Sequence, residues 1–189
     1  MKRFRLEEGI PWDRVVPVLR AGGVAIMPCD TIYGLVGVAP EAEGRLRELK
    51  GRGEEKPFIQ LLPSISFLPS LTELALPTEL EPYWPGPLTL IFPARGSGTI
   101  AVRLPADPLL QKLLRALNKP LFSTSVNRGG QPPLCRIRDI VEAFGPEVDL
   151  ILDAGDLPQR SPSTIIDVCA RPFRLVRRGL LSLPASLFE

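Results

Sequence analysis

The sequence predicts an α/β (α+β) fold, a twisted sheet of mixed strand direction flanked by helices. Three observations predict it. Short apolar runs such as Val24 to Met27 and Leu88 to Phe92 have the length of strands. Segments with apolar residues at helical spacing lie between them, as at Pro108 to Leu117 and Ile137 to Phe144. The two kinds of segment do not alternate regularly, which favours mixed strand direction.

Taken in order, a short helix is expected before Gly22-Gly23, which lead into the strand Val24 to Met27. Pro28 to Leu35 is expected as a loop. Glu41 to Lys50 alternates charge and sets Leu46 and Leu49 at helical spacing. Phe58 to Leu62 and Leu88 to Phe92 are expected as buried strands, and Ile100 to Leu104 alternates like a half-buried one. Asp107 is the expected N-cap of the helix Pro108 to Leu117. Leu121-Phe122 opens another strand, followed by a Gly/Pro loop from Asn127 to Pro133. The helix Ile137 to Phe144 should stop at Gly145-Pro146. Val148 to Leu152, Thr164 to Val168 and Phe173 to Val176 complete a strand-rich end. The length of 189 residues, with no repeat or linker, fits a single domain over 1–189.

Composition removes several function classes. Apolar residues are 44% of the chain and charged residues 23%, enough for a core and ordinary for a globular protein. No apolar stretch is long enough to span a bilayer. Glu7 and Glu8 follow the basic start at once, so no signal-peptide core develops and a cytoplasmic location is expected. Cys29, Cys135 and Cys169 are odd in number and lack paired spacing, which argues against a disulfide framework or a zinc knuckle. The absence of histidine removes the Ser-His-Asp triad, the Cys-His dyad and histidine-rich metal sites. The net charge of +2 does not announce nucleic-acid binding. Arginine supplies 18 of the 23 cations, and arginine forks onto phosphates and carboxylates. The same bias, with 22 prolines, suits a GC-rich or thermophilic source equally well.

Six segments put polar groups beside apolar strands, where α/β proteins build sites. Pro28-Cys29-Asp30-Thr31-Ile32-Tyr33-Gly34-Leu35 suits either a plain turn or a loop offering short hydrogen-bonding groups. Lys50-Gly51-Arg52 with Lys56-Pro57 suits either polyphosphate or the negative end of a helix. Trp84-Pro85-Gly86-Pro87-Leu88-Thr89-Leu90 fixes the approach to a strand. Thr99 to Pro105 carries a lone Arg103 inside an apolar strand, which must meet a carboxylate from the protein or from a ligand. Ser123 to Gly130 is a hydroxyl-rich turn after a strand. Ser161 to Asp167 and then Arg177-Arg178-Gly179 form the last. Neither a P-loop nor a G-x-G-x-x-G is present.

As an ordered set, these segments resemble the single-domain YrdC-like threonylcarbamoyl-AMP synthases. That family's pattern runs G-G, P-T-D/E-T-x-Y-G-L, K-x-R, W-P-G-P-L-T, V-R-x-P, T-S-A-N-x-S-G, S-T-I-V-D and R-x-G, and its counterparts here extend from Gly22 to Gly179. The resemblance implies a YrdC-like twisted mixed sheet flanked by helices around one positively charged cleft. It implies a nucleotidyltransferase that makes threonylcarbamoyl-adenylate and pyrophosphate from L-threonine, bicarbonate and ATP, with Mg²⁺ accompanying ATP. The adenylate would pass to downstream threonylcarbamoyl-transferase proteins that modify tRNA. Lys50 and Arg52 match catalytic positions. Arg52, Lys56, Thr99, Asn127, Cys135 and Arg177 match the ATP side. Cys29, Thr31, Tyr33, Leu61, Arg103, Ser125 and Ser163 match the threonine side, with Arg103 taking the carboxylate.

Three positions depart from the pattern. Cys29 replaces a threonine, Leu61 stands where some relatives carry histidine, and Cys135 stands where a Ser or Thr often occurs. A thiol is a poorer hydrogen-bonding group than a hydroxyl. The departures fall mainly on the substrate side, where a different amino acid would be one consequence. The chain ends soon after Arg178-Gly179, so the extra C-terminal domain of longer relatives is not expected. The alternative reading is a YrdC-like RNA-binding or ribosome-maturation protein, with tRNA or double-stranded RNA on Arg171, Arg174, Arg177 and Arg178. Only twelve aromatic residues are available in the whole chain for base stacking.

Overall fold

A computed structural model describes residues 1–51 and 57–189. Its centre is a ten-stranded mixed sheet. The strands are β1 (Lys2–Arg5), β2 (Val24–Cys29), β3 (Ile32–Val38), β4 (Ile59–Leu61), β5 (Leu88–Pro93), β6 (Thr99–Arg103), β7 (Leu121–Ser125), β8 (Leu150–Asp153), β9 (Thr164–Asp167) and β10 (Arg174–Arg177). Their spatial order is β1-β8-β2-β3-β7-β4-β6-β5-β9-β10. The helices are α1 (Trp12–Arg20), α2 (Glu43–Lys50), the single turn α3 (Leu68–Leu71), α4 (Pro108–Leu117) and α5 (Ile137–Phe144). No helix among the described residues is long and apolar enough to cross a membrane.

The helices follow from local rules. α4 begins where Asp107 accepts a hydrogen bond from the Leu110 N–H at 2.9 Å, with Pro108 in its first turn. Leu110, Leu113, Leu114 and Leu117 line its buried face. Each such leucine contributes about 1.5–3 kcal/mol on burial. The helix ends at Asn118, which adopts the left-handed conformation at φ 52°. α2 ends similarly at Gly51, φ 56°. α5 instead runs into a 3-10 turn at Gly145–Glu147, and Gly145 keeps right-handed angles.

Two segments differ from the sequence-based expectation. Pro28 to Leu35 is not a loop. β2 runs to Cys29, Asp30 and Thr31 turn the chain, and β3 returns antiparallel with Cys29 opposite Ile32. Pro28 and Gly34, which suggested a loop, sit inside paired strands. β1, which the basic sequence Lys2 to Arg5 did not suggest, pairs in parallel with β8 at the sheet margin.

Strand alternation sorts the core into layers. Ala25, Met27, Cys29, Val36 and Leu61 face α1 and α4. Val24, Ile26, Leu35, Phe122 and Ile151 pack on the other side with Leu46 and Leu49 of α2 and Ile140 and Phe144 of α5. A third cluster, including Leu88, Leu90, Val102 and Ile166 with Trp84, backs the far end of the sheet. In that far half, α1 and α4 no longer cover the face that they cover elsewhere. Ile59, Ala101, Ile91 and Ile165, on that face, border a cavity instead.

The fit between sheet and helix is tight at Gly37, where an added Cβ would lie 2.3 Å from Ala42 Cβ. Gly37→Ala is therefore expected to lower unfolding stability by about 1–3 kcal/mol, measured by urea denaturation. A second expectation concerns alkali. Burial pushes the Cys29 thiol up from 9.0 to about 12, against the opposing pull of the Arg103 charge. The unfolded chain then releases this proton at lower pH than the folded one. The stabilising contribution is present below pH 9 and is lost as pH rises towards 12. The stability difference between wild type and Cys29→Ala should therefore shrink across that window, in urea melts at successive pH values. A difference that holds constant would contradict the buried, neutral thiol.

Candidate functional site

The cavity over the far half of the sheet has a volume of about 760 Å³, within the range of small-molecule sites. Its floor is built by register. Ala101 of β6 stands opposite Ile59 of β4 on one side and Ile91 of β5 on the other. The walls come from three chain turns: β2 into β3, the segment after β7, and the approach to β9. Among the described residues that line it, Lys50, Arg103 and Arg177 are cationic and none is acidic.

Arg103 occupies the last position of β6 and is 4% exposed. Among the described residues no carboxylate forms an ion pair with it, and its buried Nε has no hydrogen-bond partner. Burying a guanidinium without compensation is costly, and an anion reaching it from the cavity would offset that cost. The internal salt bridge left open by the sequence is not formed among these residues.

Arg177 comes from β10 at the opposite side. Its Nε and Nη2 donate to the Ser163 carbonyl at 3.1 and 2.9 Å, and Nη2 donates also to Ser163 Oγ at 3.1 Å. All these acceptors are neutral. Burial and the nearby Arg103 charge both hold Arg177 below the usual arginine range. Two like charges facing one cavity make an anion between them favourable. Beneath them, Ser163 Oγ shares a 2.8 Å hydrogen bond with Thr89 Oγ1, and Thr89 is fully buried.

Lys50 closes the third side. Its ammonium, on a side chain drawn inward at 5% exposure, donates to Ser125 O at 2.9 Å, Asn127 O at 2.6 Å and Asn127 Oδ1 at 2.5 Å. Ser125 Oγ also donates to Asn127 Oδ1, at 2.6 Å. Asn127 Nδ2 in turn donates to Gln131 O at 2.5 Å. The end of α2 is thereby fastened to the segment after β7, and the Gly129 N–H bonds the Lys50 carbonyl at 3.2 Å. Lys50 thus acts here as a clamp on the polar loop, a use the sequence did not suggest.

Of the residues singled out from the sequence, the fold brings Cys29, Thr31, Tyr33, Lys50, Arg103, Ser125, Asn127, Ser163 and Arg177 to this one cavity. Tyr33 borders it, yet its ring is fully buried in the second core cluster and its hydroxyl donates to Gly155 O at 2.8 Å. The phenol also fixes the turn after β8. Leu61 shares the sheet face of Ile59 but is fully buried against α1 and α4, which cover the face there, and it does not line the cavity. Thr99 is exposed at the start of β6, opposite Pro93, and Cys135 is half-buried with its carbonyl bonded to the Leu157 N–H. Neither lines the cavity. Arg52 and Lys56 lie outside the described residues.

The cavity also includes groups that the sequence pattern did not assign. Ser123 follows from the same hydroxyl run as Ser125 by strand alternation. Gly34 leaves the space occupied by Cys29 Sγ, since a Cβ there would come within 2.8 Å of the sulfur. The signal for Gly34 lay in the P-C-D-T-I-Y-G-L segment, once Ile32 to Val38 is known as a strand.

Comparison with known proteins agrees with this architecture. The Sua5/YciO/YrdC family model, described as "Telomere recombination", matches residues 17–179. The chain is similar to the threonylcarbamoyl-AMP synthase of Vibrio campbellii, 36% identical over 185 residues, covering 89% of this chain and 98% of that protein. It is similar also to the threonylcarbamoyl-AMP synthase of Pyrococcus abyssi, 33% identical over 180 residues, covering 87% of this chain and 53% of that one. It therefore spans about half the length of the Pyrococcus relative. The crystal structure of P. abyssi Sua5 complexed with L-threonine has a TM-score of 0.82 at 30% identity, over 94% of this chain and 56% of that chain. The matched region contains every described residue that borders the cavity, and the chain belongs to the Sua5/YciO/YrdC family.

Proposed function

We propose that the protein is a threonylcarbamoyl-AMP synthase, a nucleotidyltransferase acting on L-threonine, bicarbonate and ATP. The observation that carries the reading is Arg103, a buried guanidinium that has no ion-pair partner and faces a cavity lined by no acid, both among the described residues. An amino-acid carboxylate is the anion that a lone, forked donor at the end of an apolar strand suits best. The synthase names of the relatives and the threonine in the P. abyssi Sua5 complex support the same substrate.

In this reading the amine of threonine combines with bicarbonate to give a carbamate and water. A carbamate oxygen attacks the α-phosphorus of ATP, and pyrophosphate leaves with the electrons of the broken P–O bond. Such a transfer needs aligned reactants and charge neutralisation more than a protein nucleophile. Arg103 holds the threonine carboxylate, and Ser125 and Ser163 orient it with hydroxyls. Arg177 draws the nucleotide's phosphates to the same cavity. Asn127, fixed by Lys50, shapes the nucleotide side, and Arg52 and Lys56 are expected to reach the phosphates. Mg²⁺ arrives as part of the MgATP substrate. No group of three or more His, Cys, Asp or Glu that could hold a metal occurs among the described residues. The product suits transfer to an adenosine of tRNA by partner proteins.

The RNA-binding alternative has less support. Of its four arginines, Arg171 pairs with Glu79 at 2.8 Å and Arg174 with Asp167 at 2.9 Å. Cations already paired within the fold gain less from a phosphate backbone. The test is incubation of the purified protein with ATP, Mg²⁺, bicarbonate and threonine, reading pyrophosphate and adenylate mass together. Pyrophosphate release that requires both threonine and bicarbonate, with a threonylcarbamoyl-AMP mass, is the expected result. A folded, ATP-saturated protein that releases none would overturn the reading.

A further inference from the structure

The hydroxyl pair beneath the cavity has a determinable polarity. Ser163 Oγ accepts a hydrogen bond from Arg177 Nη2 and lies 2.8 Å from Thr89 Oγ1. Each hydroxyl has one proton to give and two lone pairs to receive with. Thr89 is 0% exposed, and Ser163 Oγ is its side chain's hydrogen-bond partner among the described residues. If Ser163 were the donor, the Thr89 proton would be buried without an acceptor, a penalty the opposite polarity avoids. With Thr89 as donor, both Ser163 lone pairs are filled, one by Arg177 and one by Thr89. The proton of Ser163 is then left over, on a residue that lines the cavity.

Thr89 is well placed for this task. The register of β5 against β6 sets Leu90 opposite Val102 and Ile91 opposite Ala101, so the next step brings Thr89 beside Arg103 on the cavity face. On its other side Thr89 stands opposite Ile165 of β9. We propose that Thr89 is a positioning residue: by donating to Ser163 Oγ, it commits Ser163 to present its own proton to an anionic oxygen bound between Arg103 and Arg177. Towards the cavity Ser163 is then a donor only, like the two guanidiniums beside it, and the site accepts carboxylate or phosphate oxygens while disfavouring groups that can only donate, such as ammonium. This rests on the reading of the cavity as the substrate site. It adds a residue that never touches substrate.

The experiment is calorimetric titration of threonine and of ATP into wild type, Thr89→Val, Thr89→Ser, Ser163→Ala and the double variant Thr89→Val/Ser163→Ala. Thr89→Val should weaken one of the two ligands about tenfold, the scale of one hydrogen bond to a charged group. Thr89→Ser should stay within about twofold of wild type, and the double variant should be no weaker than Ser163→Ala alone. A loss confined to threonine assigns the oxygen to the amino-acid carboxylate, and a loss confined to ATP assigns it to a phosphate. Thr89→Ala, which adds no bulk, replaces the valine variant should that one fail to fold. Unchanged affinities on removal of the Thr89 hydroxyl overturn the proposal, as do losses that multiply in the double variant or that serine does not rescue. Wild-type protein that binds neither ligand would overturn the reading of the cavity and this inference with it, whereas normal wild-type binding with an unaffected Thr89→Val overturns the inference alone.

Discussion

The charge of Arg103 is the constraint around which the site is arranged. A guanidinium at 4% exposure that forms no ion pair among the described residues costs on the order of several kcal/mol relative to a paired one. Such a cost persists only where a ligand offsets it or where the surrounding fold is strong enough to bear it. Here the fold is strong: β6 lies between β4 and β5 in the interior of the ten-stranded sheet, and Leu90 and Val102 anchor it to the third core cluster. The neighbouring groups repeat the preference for anions. Among the described residues Arg177 has only neutral acceptors, and its charge is opposed by that of Arg103.

The rest of the architecture holds those groups in place without neutralising them. Helices α1 and α4 cover one face of the sheet only as far as Leu61, and the uncovered remainder becomes the cavity floor. Lys50 directs its ammonium to the carbonyls of Ser125 and Asn127 and to the Asn127 amide oxygen, so the polar loop after β7 is fixed from the end of α2. Tyr33 does similar work on the far side, tying β3 to the turn at Ala154 and Gly155. Cys29 is a neutral, buried sulfur that fills the space Gly34 leaves.

Much of this was legible in the sequence wherever a local rule decides the outcome. Helix α4 follows from its leucine spacing and the Asp107 cap, and the observed bounds match the pattern. A lone Arg103 among the apolar residues of a strand is enough to mark a buried cation from sequence alone. Pro28 to Leu35 was less legible because Pro28 is paired with β3 and Gly34 is paired on both sides, and that pairing overrides their turn preference. β1 carried no signal because its basic residues pair with β8 at the margin, beyond the reach of hydrophobic patterning. Leu61 matched a family position and shares the sheet face of Ile59, yet α1 and α4 cover that face at Leu61, and a helix's reach over a sheet is not written in the strand's own residues. Thr89 and the clamp role of Lys50 depend on partners more than seventy residues away in the chain, which no window of sequence contains.

The most direct test of the account is Arg103→Met, which keeps the length of the side chain and removes its charge. Thermal denaturation and titrations with threonine and ATP would be measured beside wild type. The account predicts a ligand-free protein at least about 1 kcal/mol more stable, a rise of roughly 2–4 °C in Tm for a chain of this size. It predicts threonine affinity lower by about a hundredfold or more, with ATP affinity close to wild type. A variant with lower Tm that loses both ligands together would contradict it, because Arg103 would then be holding the fold and not waiting for a carboxylate.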